Sequence, residues 1–226
     1  MEYEIKYTFA EWRAPYIAAQ LSVYCTEDSH YRKNRIHSVY FDSSNWDFAA
    51  DKASSDYLKT KMRVRWYSDP DNRVADSVRF LEVKNKIGTK RSKVRIQLPD
   101  HFNDFNHDNL SSEQITYLNR ASREIAPELT ESLLEPALYV SYERKRFFEG
   151  HSSSRLSLDT AITCQAISTS LNYCRFPLAL DEAVLEVKGT SHSLPLALRT
   201  PFSGLITKNA FSKYYESYKL LSTYDQ

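Results

Sequence analysis

The sequence predicts an α+β fold, a closed antiparallel β-barrel that forms a tunnel, with helices packed outside. Three observations predict this class. Many segments alternate between apolar and polar residues with the period of two that is typical of strands. These segments follow one another with few gaps, as in an antiparallel barrel or sandwich. Helical spacing is confined to the stretches between them. The 226 residues are enough for one sizeable core, so we expect a single domain over residues 1–226.

Eight strands are predicted from runs that are rich in β-branched and aromatic residues. Turn residues separate several of these runs, among them Asp69, Pro70, Asp71 and Asn72, and also Gly150. The predicted strands cover residues 2–9, 36–42, 59–67, 78–86, 92–98, 137–148, 155–162 and 183–188.

Four helices are predicted in the stretches between the strands. In the first of them, Trp12, Ile17 and Leu21 recur at helical spacing. Ser111 and Gln114 have the spacing of a capping box, which predicts the start of another helix. The predicted helices cover residues 10–24, 111–125, 193–199 and 210–221, and a polar surface loop covers residues 101–109.

The charge balance excludes a nucleic-acid partner of the usual basic kind. The chain has 30 basic and 29 acidic residues, so its net charge is only +1 and it produces no strong overall field. It has four glycines, and neither G-x-x-x-x-G-K-[ST] nor G-x-G-x-x-G occurs. If this protein binds phosphates, side chains must therefore do so.

The cysteine pattern and the hydropathy indicate a cytoplasmic location. Cys25, Cys164 and Cys174 are odd in number and lack metal-ligand spacing, so we interpret them as reduced thiols. No apolar run has the length of a membrane span, and the first residues lack the pattern of a signal peptide. We therefore expect no membrane segment in this chain.

One face of nearly every predicted strand carries charge, and most of this charge is positive. Residues two apart on a strand share a face, so Lys61, Arg63 and Arg65 lie together, opposite three apolar side chains. The other charged sets that share a face are Glu4 with Lys6, Glu82 with Lys84 and Lys86, Lys93 with Arg95, Arg144 with Arg146, Arg155 with Asp159, and Glu186 with Lys188.

Two interpretations of these faces compete. An antiparallel sheet with one solvated side shows the same alternation. However, the charged faces nearly lack the Ser, Thr and Gln that usually dilute a solvated face. The three cations between Lys61 and Arg65 also repel one another unless an anion lies between them. A sheet closed with this face inward would form a basic tunnel, which is suited to a polyanion.

The carboxylates on these faces are candidate metal ligands. Glu2, Glu4, Glu82, Asp159 and Glu186 offer hard oxygen atoms that could hold Mg²⁺ or Mn²⁺ together with phosphate oxygens. The other interpretation of each is a salt bridge to a neighbouring cation. For Glu82, which lies among many lysines, the salt bridge is favoured. For Glu186 both interpretations stay open.

Short motifs spread over nearly the whole chain carry a resemblance to a known family. They are Glu4-Ile5-Lys6-Tyr7, Tyr40-Phe41-Asp42, Lys61-Met62-Arg63-Val64-Arg65-Trp66-Tyr67, Glu82-Val83-Lys84, Lys93-Val94-Arg95, Tyr142-Glu143-Arg144, Leu158-Asp159-Thr160, Leu185-Glu186-Val187-Lys188 and Phe211-Ser212-Lys213-Tyr214. Taken in this order, the set resembles the polyphosphate polymerase domain of the vacuolar transporter chaperone (VTC) type, from the triphosphate tunnel metalloenzyme superfamily.

This resemblance implies a polyphosphate polymerase. Such an enzyme moves the γ-phosphate of ATP onto a growing polyphosphate chain and releases ADP, with Mn²⁺ or Mg²⁺ as its cofactor. ATP and polyphosphate would be its partners, and a membrane protein is a further possible partner. Matched to the family, Arg63 and Arg65 would grip the terminal phosphates together with Lys6, Lys84 and Lys93.

The resemblance assigns roles to residues in the second half of the chain as well. Tyr142 and Arg144 match the family's Tyr-x-Arg, Glu186 matches its metal-binding carboxylate, and Lys213 matches a phosphate-contacting lysine of the closing helix. The predicted catalytic residues are Arg63, Arg65, Lys84, Arg144 and Lys213; the predicted phosphate-binding residues are Lys6, Lys61, Lys93, Tyr142, Lys188 and Lys208; and the predicted metal ligands are Glu186 and Glu4.

One departure and two alternatives accompany this interpretation. The family often has a basic residue where Ala210 stands here, and the nearest cation is Lys208, which is shifted by two positions. A triphosphatase on the same barrel would hydrolyse inorganic or thiamine triphosphate, with a richer acidic set around two metals that Glu2, Glu4, Glu82 and Asp159 could supply. A non-catalytic polyphosphate-binding subunit is the third interpretation. The retained cations and Glu186 argue against it.

Overall fold

The computed structural model describes residues 3–54, 58–70, 78–88, 90–108, 110–127, 129, 133–172 and 176–223. Within these ranges the strands are β1 (Tyr3–Ala10), β2 (Thr26–Glu27), β3 (Lys33–Asp42), β4 (Leu58–Ser68), β5 (Phe80–Ile87), β6 (Lys90–Gln97), β7 (Glu135–Glu149), β8 (Ser154–Ala166), β9 (Leu178–Ala179), β10 (Glu182–Gly189) and β11 (Thr207–Lys208). The helices are α1 (Ala14–Tyr24), α2 (Asp47–Ser54), α3 (Ser112–Ile125), α4 (Leu196–Arg199) and α5 (Lys213–Thr223).

The strands form one large antiparallel sheet. Its order is β11-β1-β10-β8-β7-β3-β4-β5-β6, while β2 pairs with β7 and β9 pairs with β8. Within the described ranges no ladder joins β6 to β11, so hydrogen bonds do not close the sheet. The predicted α+β fold with a large antiparallel sheet is confirmed, and the predicted closed barrel is not. Closure by pairing is limited because β11 contributes only two residues, opposite Tyr7 and Thr8.

Local pattern predicted most of these elements. The eight predicted strands correspond to β1, β3, β4, β5, β6, β7, β8 and β10. The capping box at Ser111 and Gln114 is confirmed at the start of α3. Helix α2 and the three two-residue strands were not predicted, and α4 is shorter than expected. Of the residues named in the predictions, Glu2, Asp71, Asn72, Asn109 and Cys174 lie outside the described residues.

The cysteines and helices of the described part bear on two further expectations. Cys25 and Cys164 are free thiols. No helix within the described ranges has both the length and the apolar character that a membrane span requires.

The apolar face of the sheet carries α1 and α3. Ile17 of α1 is buried with Ile5 and Leu185, which come from β1 and β10. Leu118 of α3 is buried in a second cluster with Val64 of β4. Because these strand residues alternate with the charged ones, burying them under helices turns the charged side chains to the opposite face.

Helix α5 lies on this opposite face, which corrects the prediction that all helices pack outside. Tyr214 and Leu221 of α5 are buried together with Tyr40 and Tyr142. Tyr40 lies directly opposite Arg63 in the β3–β4 ladder and so belongs to the charged face. This face is therefore charged only in part. The rest of this face is apolar, and α5 packs its own apolar side chains against it, as an amphipathic helix does.

Candidate functional site

The charged strand faces converge on one cavity of about 700 Å³. Its walls come from β1, β3, β4, β5, β6, β7, β10 and α2, and from residues 209–213, which lead into α5. The charged faces thus turn inward, as the sequence predicted. The predicted site residues that line the cavity are Glu4, Lys6, Lys61, Arg63, Arg65, Lys84, Lys93, Tyr142, Arg144, Glu186, Lys188 and Lys213.

Lys208 is the predicted phosphate contact that the structure does not bring into the cavity. It lies opposite Tyr7 in the β1–β11 ladder, and the Tyr7 side chain belongs to the core on the outer face. The Lys208 ammonium donates a hydrogen bond to the carbonyl of His192 at 3.1 Å and is exposed. Closeness to Lys213 in sequence therefore misled the prediction, since the chain turns between the two residues.

Cations form rows across β4, β5 and β6. Lys61 lies opposite Lys84, and Lys84 lies opposite Lys93. In the next row inward, Arg63 and Arg95 flank Glu82. Like charges that lie directly opposite each other destabilise a sheet unless something compensates them. The second row contains its own compensating carboxylate, Glu82, whereas in the first row only Lys93 reaches this carboxylate.

Glu82 is the centre of the second row. It is 1% exposed, and its Oε2 accepts hydrogen bonds from Nε and Nη2 of Arg63 at 2.9 and 2.5 Å. Lys93 and Arg95 lie at ion-pair distance from its Oε1, at 3.4 and 3.7 Å, and Arg65 lies 3.9 Å from Oε2. Burial alone would raise the pKa of Glu82, but Arg63 and Arg65 outweigh it and hold the pKa far below its usual range. The predicted salt bridge of Glu82 is confirmed.

For Lys61 and Lys84, in contrast to Glu82, burial and the nearby charges together disfavour the charged form. Burial, followed by repulsion from Arg63, lowers the pKa of Lys84 to about 7, because together they outweigh the attraction of Glu4. Burial also lowers the pKa of Lys61 well below its usual value, and the neighbouring cations Lys6 and Arg63 add to this effect. Both amines therefore lose much of their preference for the charged form.

The opposite wall is a compact ion-pair network around Asp159. Arg144 donates from Nε and Nη2 to the two oxygens of Asp159 at 2.5 and 2.6 Å, and Nη2 also donates to Glu186 at 2.9 Å. Lys213 donates to Asp159 at 2.5 Å and lies 3.8 Å from Glu186. Burial would raise the pKa of Glu186, but Arg144, then Lys6 and Lys213, hold it well below its usual range. The pKa shifts of Glu186, Arg144 and Lys213 thus favour the charged form of each of these three groups.

A β-bulge in β8 directly follows the segment that carries Asp159, which itself lies opposite Arg144 in the regular β7–β8 ladder. Ala161 has a positive φ of 49°, a conformation that L-residues rarely adopt. Its N–H donates to Oε1 of Glu11 at 2.9 Å, which stabilises the irregular backbone. The extra residue lets Asp159 face the cavity wall while Ile162, three positions later, is buried on the same face under α5. The sequence alone gave no signal for this bulge.

Two tyrosines position the arginines. Tyr40 Oη accepts a hydrogen bond from Nη1 of Arg63 at 2.9 Å, and Tyr142 Oη accepts one from Nη2 of Arg65 at 3.2 Å. The ammonium of Lys213 lies 4.6 Å from the centre of the Tyr142 ring, as in a cation–π contact. Tyr142 was predicted as a phosphate contact, and its observed partners are the cations that flank it.

Tyr40, Lys52 and Ser212 are among the residues that line the cavity and to which the sequence assigned no role. Lys52 belongs to α2, which the pattern did not predict, so no signal could have placed it. Ser212 accepts a hydrogen bond from Lys61 at 2.6 Å, a contact between α5 and β4 that depends on tertiary packing. Tyr40 shares a strand face with Ser38 and Ile36, and period two alone could have indicated its side of the sheet.

Glu4 and Glu186 are the carboxylates that lie best for a divalent ion. They lie on the neighbouring strands β1 and β10, and the ammonium of Lys6 lies 3.7 Å from Glu4 Oε1 and 3.5 Å from Glu186 Oε1. Searched over the described residues, no group of three His, Cys, Asp or Glu side chains is placed to hold a metal. Two carboxylates suit Mg²⁺ or Mn²⁺, which take most of their ligands from water and substrate phosphates.

The fold and the cavity place the chain in a class of proteins whose antiparallel sheet encloses a cation-rich site with its charged face. The particular family follows from comparison. The profile of the VTC domain family matches residues 2–222, so the chain belongs to this family and the resemblance seen in the sequence is confirmed. No curated protein matches the sequence.

Solved structures resemble this fold at low sequence identity. A candidate adenylate cyclase from Bacillus halodurans is 13% identical, with a TM-score of 0.51 over 84% of this chain and 81% of that chain. A protein from Pyrococcus horikoshii OT3 is 12% identical, with a TM-score of 0.48 over 95% of this chain and 97% of that chain. The likeness to the first concerns the fold alone.

Proposed function

We propose that the protein is a polyphosphate polymerase, which transfers the γ-phosphate of ATP to a growing polyphosphate chain and releases ADP. The observation that best supports this proposal is the excess of cations on one wall of the cavity. On β4, β5 and β6, eight Lys and Arg side chains line the cavity with one carboxylate, Glu82. A string of phosphates offsets such an excess along its whole length. Membership of the VTC domain family supports the same reaction.

The reaction asks the protein chiefly for placement and charge. A terminal oxygen of the polyphosphate chain would attack the γ-phosphorus of ATP, the bond to the β–γ bridging oxygen would break, and ADP would leave. Arg65 can clamp phosphate oxygens through its planar guanidinium, whereas Lys61 and Lys84 supply point charges. Since the attacking oxygen is already anionic near neutral pH, polymerisation needs no dedicated general base.

The donor set fits a divalent ion as a partner of the phosphates. Glu4 and Glu186 would hold Mn²⁺ or Mg²⁺, which would neutralise charge on the phosphate oxygens. Arg144 and Lys213 would keep Glu186 in place, since both lie within 4 Å of its carboxylate. Lys6 would move its contacts from the carboxylates to phosphate oxygens, because a bound cation displaces it from Glu4 and Glu186.

The proposal is tested by incubating the pure protein with ATP and Mn²⁺. We expect a long polymer on a gel together with stoichiometric ADP. Arg65→Ala and Glu186→Ala should abolish turnover, with the circular dichroism of the folded protein as the control. Near-normal rates in either variant would remove that residue from the site.

A triphosphatase is the second candidate, because Glu4 and Glu186 lie side by side. Release of orthophosphate without polymer would favour it. Hydrolysis requires an activated water, and a richer acidic set would serve that purpose. Glu82 and Asp159 were the other candidates for that set, but both are enclosed by arginine and lysine side chains. The polymerase therefore remains the better proposal, and absence of both products would indicate a polyphosphate-binding subunit.

A further inference from the structure

Lys61 and Lys84 differ in their partners from Lys93, the third cation of the first row, which lies 3.4 Å from Glu82. Lys61 and Lys84 lie opposite each other on β4 and β5. The ammonium of Lys61 donates to a neutral group, Oγ of Ser212, at 2.6 Å. In the described part of the chain, no carboxylate lies within ion-pair distance of either ammonium. Arg63, one row further in, is bound to Glu82 by two hydrogen bonds.

The groups that face these two lysines come from six elements and from the segment before α5. Those facing Lys61 are Lys6 of β1, Lys52 of α2, Arg63 of β4, Lys84 of β5 and the hydroxyl of Ser212 before α5. Those facing Lys84 are Lys61, Arg63 and Arg65 of β4 and Lys93 of β6, with Glu4 of β1 and Glu186 of β10 beyond ion-pair distance. The charged groups that act most strongly on Lys61 are all positive, and the carboxylates that act on Lys84 are already engaged by Lys6, Lys188 and Arg144.

Such a row cannot hold its full charge while the cavity contains no anion. Burial and repulsion favour the neutral amine, which is why the pKa of Lys84 falls to about 7 and that of Lys61 falls well below its usual value. Above about pH 7 the Lys84 amine of the anion-free cavity is consequently mostly uncharged, and the pKa of Lys61 is shifted in the same direction. A phosphate chain in the same place supplies the missing negative charge and favours the ammonium form again.

We propose that Lys61 and Lys84 take up protons when a polyanion binds in the cavity, so that the protein binds phosphate chains more tightly as the pH falls. This inference rests on the proposed function, because it requires the polyanion to occupy this cavity. Each uptake converts an amine and a proton from the buffer into an ammonium group, and no other bond changes. Glu4 and Glu186 act on Lys84 only from beyond ion-pair distance, and their attraction opposes the shift without cancelling it.

The direction of the pH dependence follows from linkage. Binding raises the pKa of each lysine, so affinity falls as the pH rises above the pKa that the lysine has without ligand. For each proton taken up, affinity falls about tenfold per pH unit in that range. The dependence on Lys84 levels off below about pH 7, since its amine is then already protonated without ligand.

Titration calorimetry with tripolyphosphate at pH 8, in buffers of different ionisation enthalpy, measures the protons taken up on binding. The variants are Lys84→Arg and Lys61→Arg, because arginine stays charged at every pH used and has no proton to gain. Lys208→Arg, outside the cavity, is the matched control. Tripolyphosphate contributes its own protonation equally in all four proteins, so the differences between them isolate the lysines.

We expect wild type and Lys208→Arg to take up the same number of protons. Each cavity variant should take up fewer, by as much as one per lysine replaced, and its affinity should vary less between pH 7 and pH 9. Equal uptake in all four proteins would overturn the inference and leave the polyanion site standing. Failure of the wild type to bind tripolyphosphate at all would instead overturn the proposed function, and the inference with it. Lys84→Arg alone is decisive if Lys61→Arg does not fold.

Discussion

The two walls of the cavity differ in how their charge is balanced. The first wall, formed by β4, β5 and β6, lines the cavity with eight cations and one carboxylate. The second wall, formed by β1, β7, β10 and the start of α5, lines it with four cations and the carboxylates of Glu4 and Glu186. Asp159, which is fully buried, adds a third carboxylate behind the second wall.

Because of this difference, we expect one wall to contribute mainly to folding stability and the other mainly to polyanion binding. The ion pairs of the second wall are complete without a ligand, so they hold β7, β8, β10 and α5 together. The first wall contains repulsion that only an external anion relieves. We therefore expect changes in the second wall to affect folding most, and changes in the first wall to affect polyanion binding most.

The largest effect is expected for Arg144→Met in the second wall. The change leaves Asp159 and part of Glu186 as buried charges with too few partners, which should lower the free energy of unfolding by about 3 kcal/mol. Chemical denaturation measures this loss. Arg95→Met in the first wall is the matched control and should cost less than about 1 kcal/mol, because its side chain is 35% exposed and lies 3.7 Å from Glu82. Equal losses would refute the distinction between the walls.

Lys84→Gln, in the first wall, should weaken polyanion binding without lowering stability. It removes a charged contact to phosphate and should weaken tripolyphosphate binding at pH 7 by about tenfold or more. It also removes repulsion with Arg63 and Arg65, so the unfolding temperature should stay the same or rise. Calorimetry and thermal unfolding of the same sample test both statements. A destabilised variant with unchanged affinity would assign Lys84 to the structural wall instead.

Low pH should reduce the stability that the ion pairs of the second wall contribute. The pKa of Glu186 is held well below the value of 4.5 that it has in an unfolded chain. The stability it contributes is therefore fully present above pH 4.5 and is lost as the pH falls through its folded pKa. Denaturation at pH 7 and pH 3 should show a smaller loss for Glu186→Gln than for wild type. Identical losses in both proteins would show that Glu186 does not carry this dependence.

The smallest effect is expected for Lys208→Gln. Its ammonium binds the carbonyl of His192 outside the cavity, so tripolyphosphate affinity should stay within about twofold of wild type. Titration calorimetry at low salt is the most sensitive check. A loss as large as that of Lys84→Gln would place the polyanion on the outer surface.

The sequence could predict the structural features that depend on the local pattern of apolar and charged residues. Alternation with period two identified the long strands and the face of Lys61, Arg63 and Arg65, because it depends only on neighbouring residues. The salt bridge of Glu82 was also predictable, since cations surround it in any register. The position of α5 on the inner face and the open edge at β11 were not predictable. They depend on long-range packing and on strand length, which period two does not encode.

The most direct test of the central claim is a crystal structure with tripolyphosphate and Mn²⁺. The difference between the walls predicts phosphate oxygens within hydrogen-bond distance of Lys61, Lys84 and Arg65, with the metal between the chain and Glu4 or Glu186. Phosphates bound outside the cavity, with Lys61 and Lys84 untouched, would contradict it.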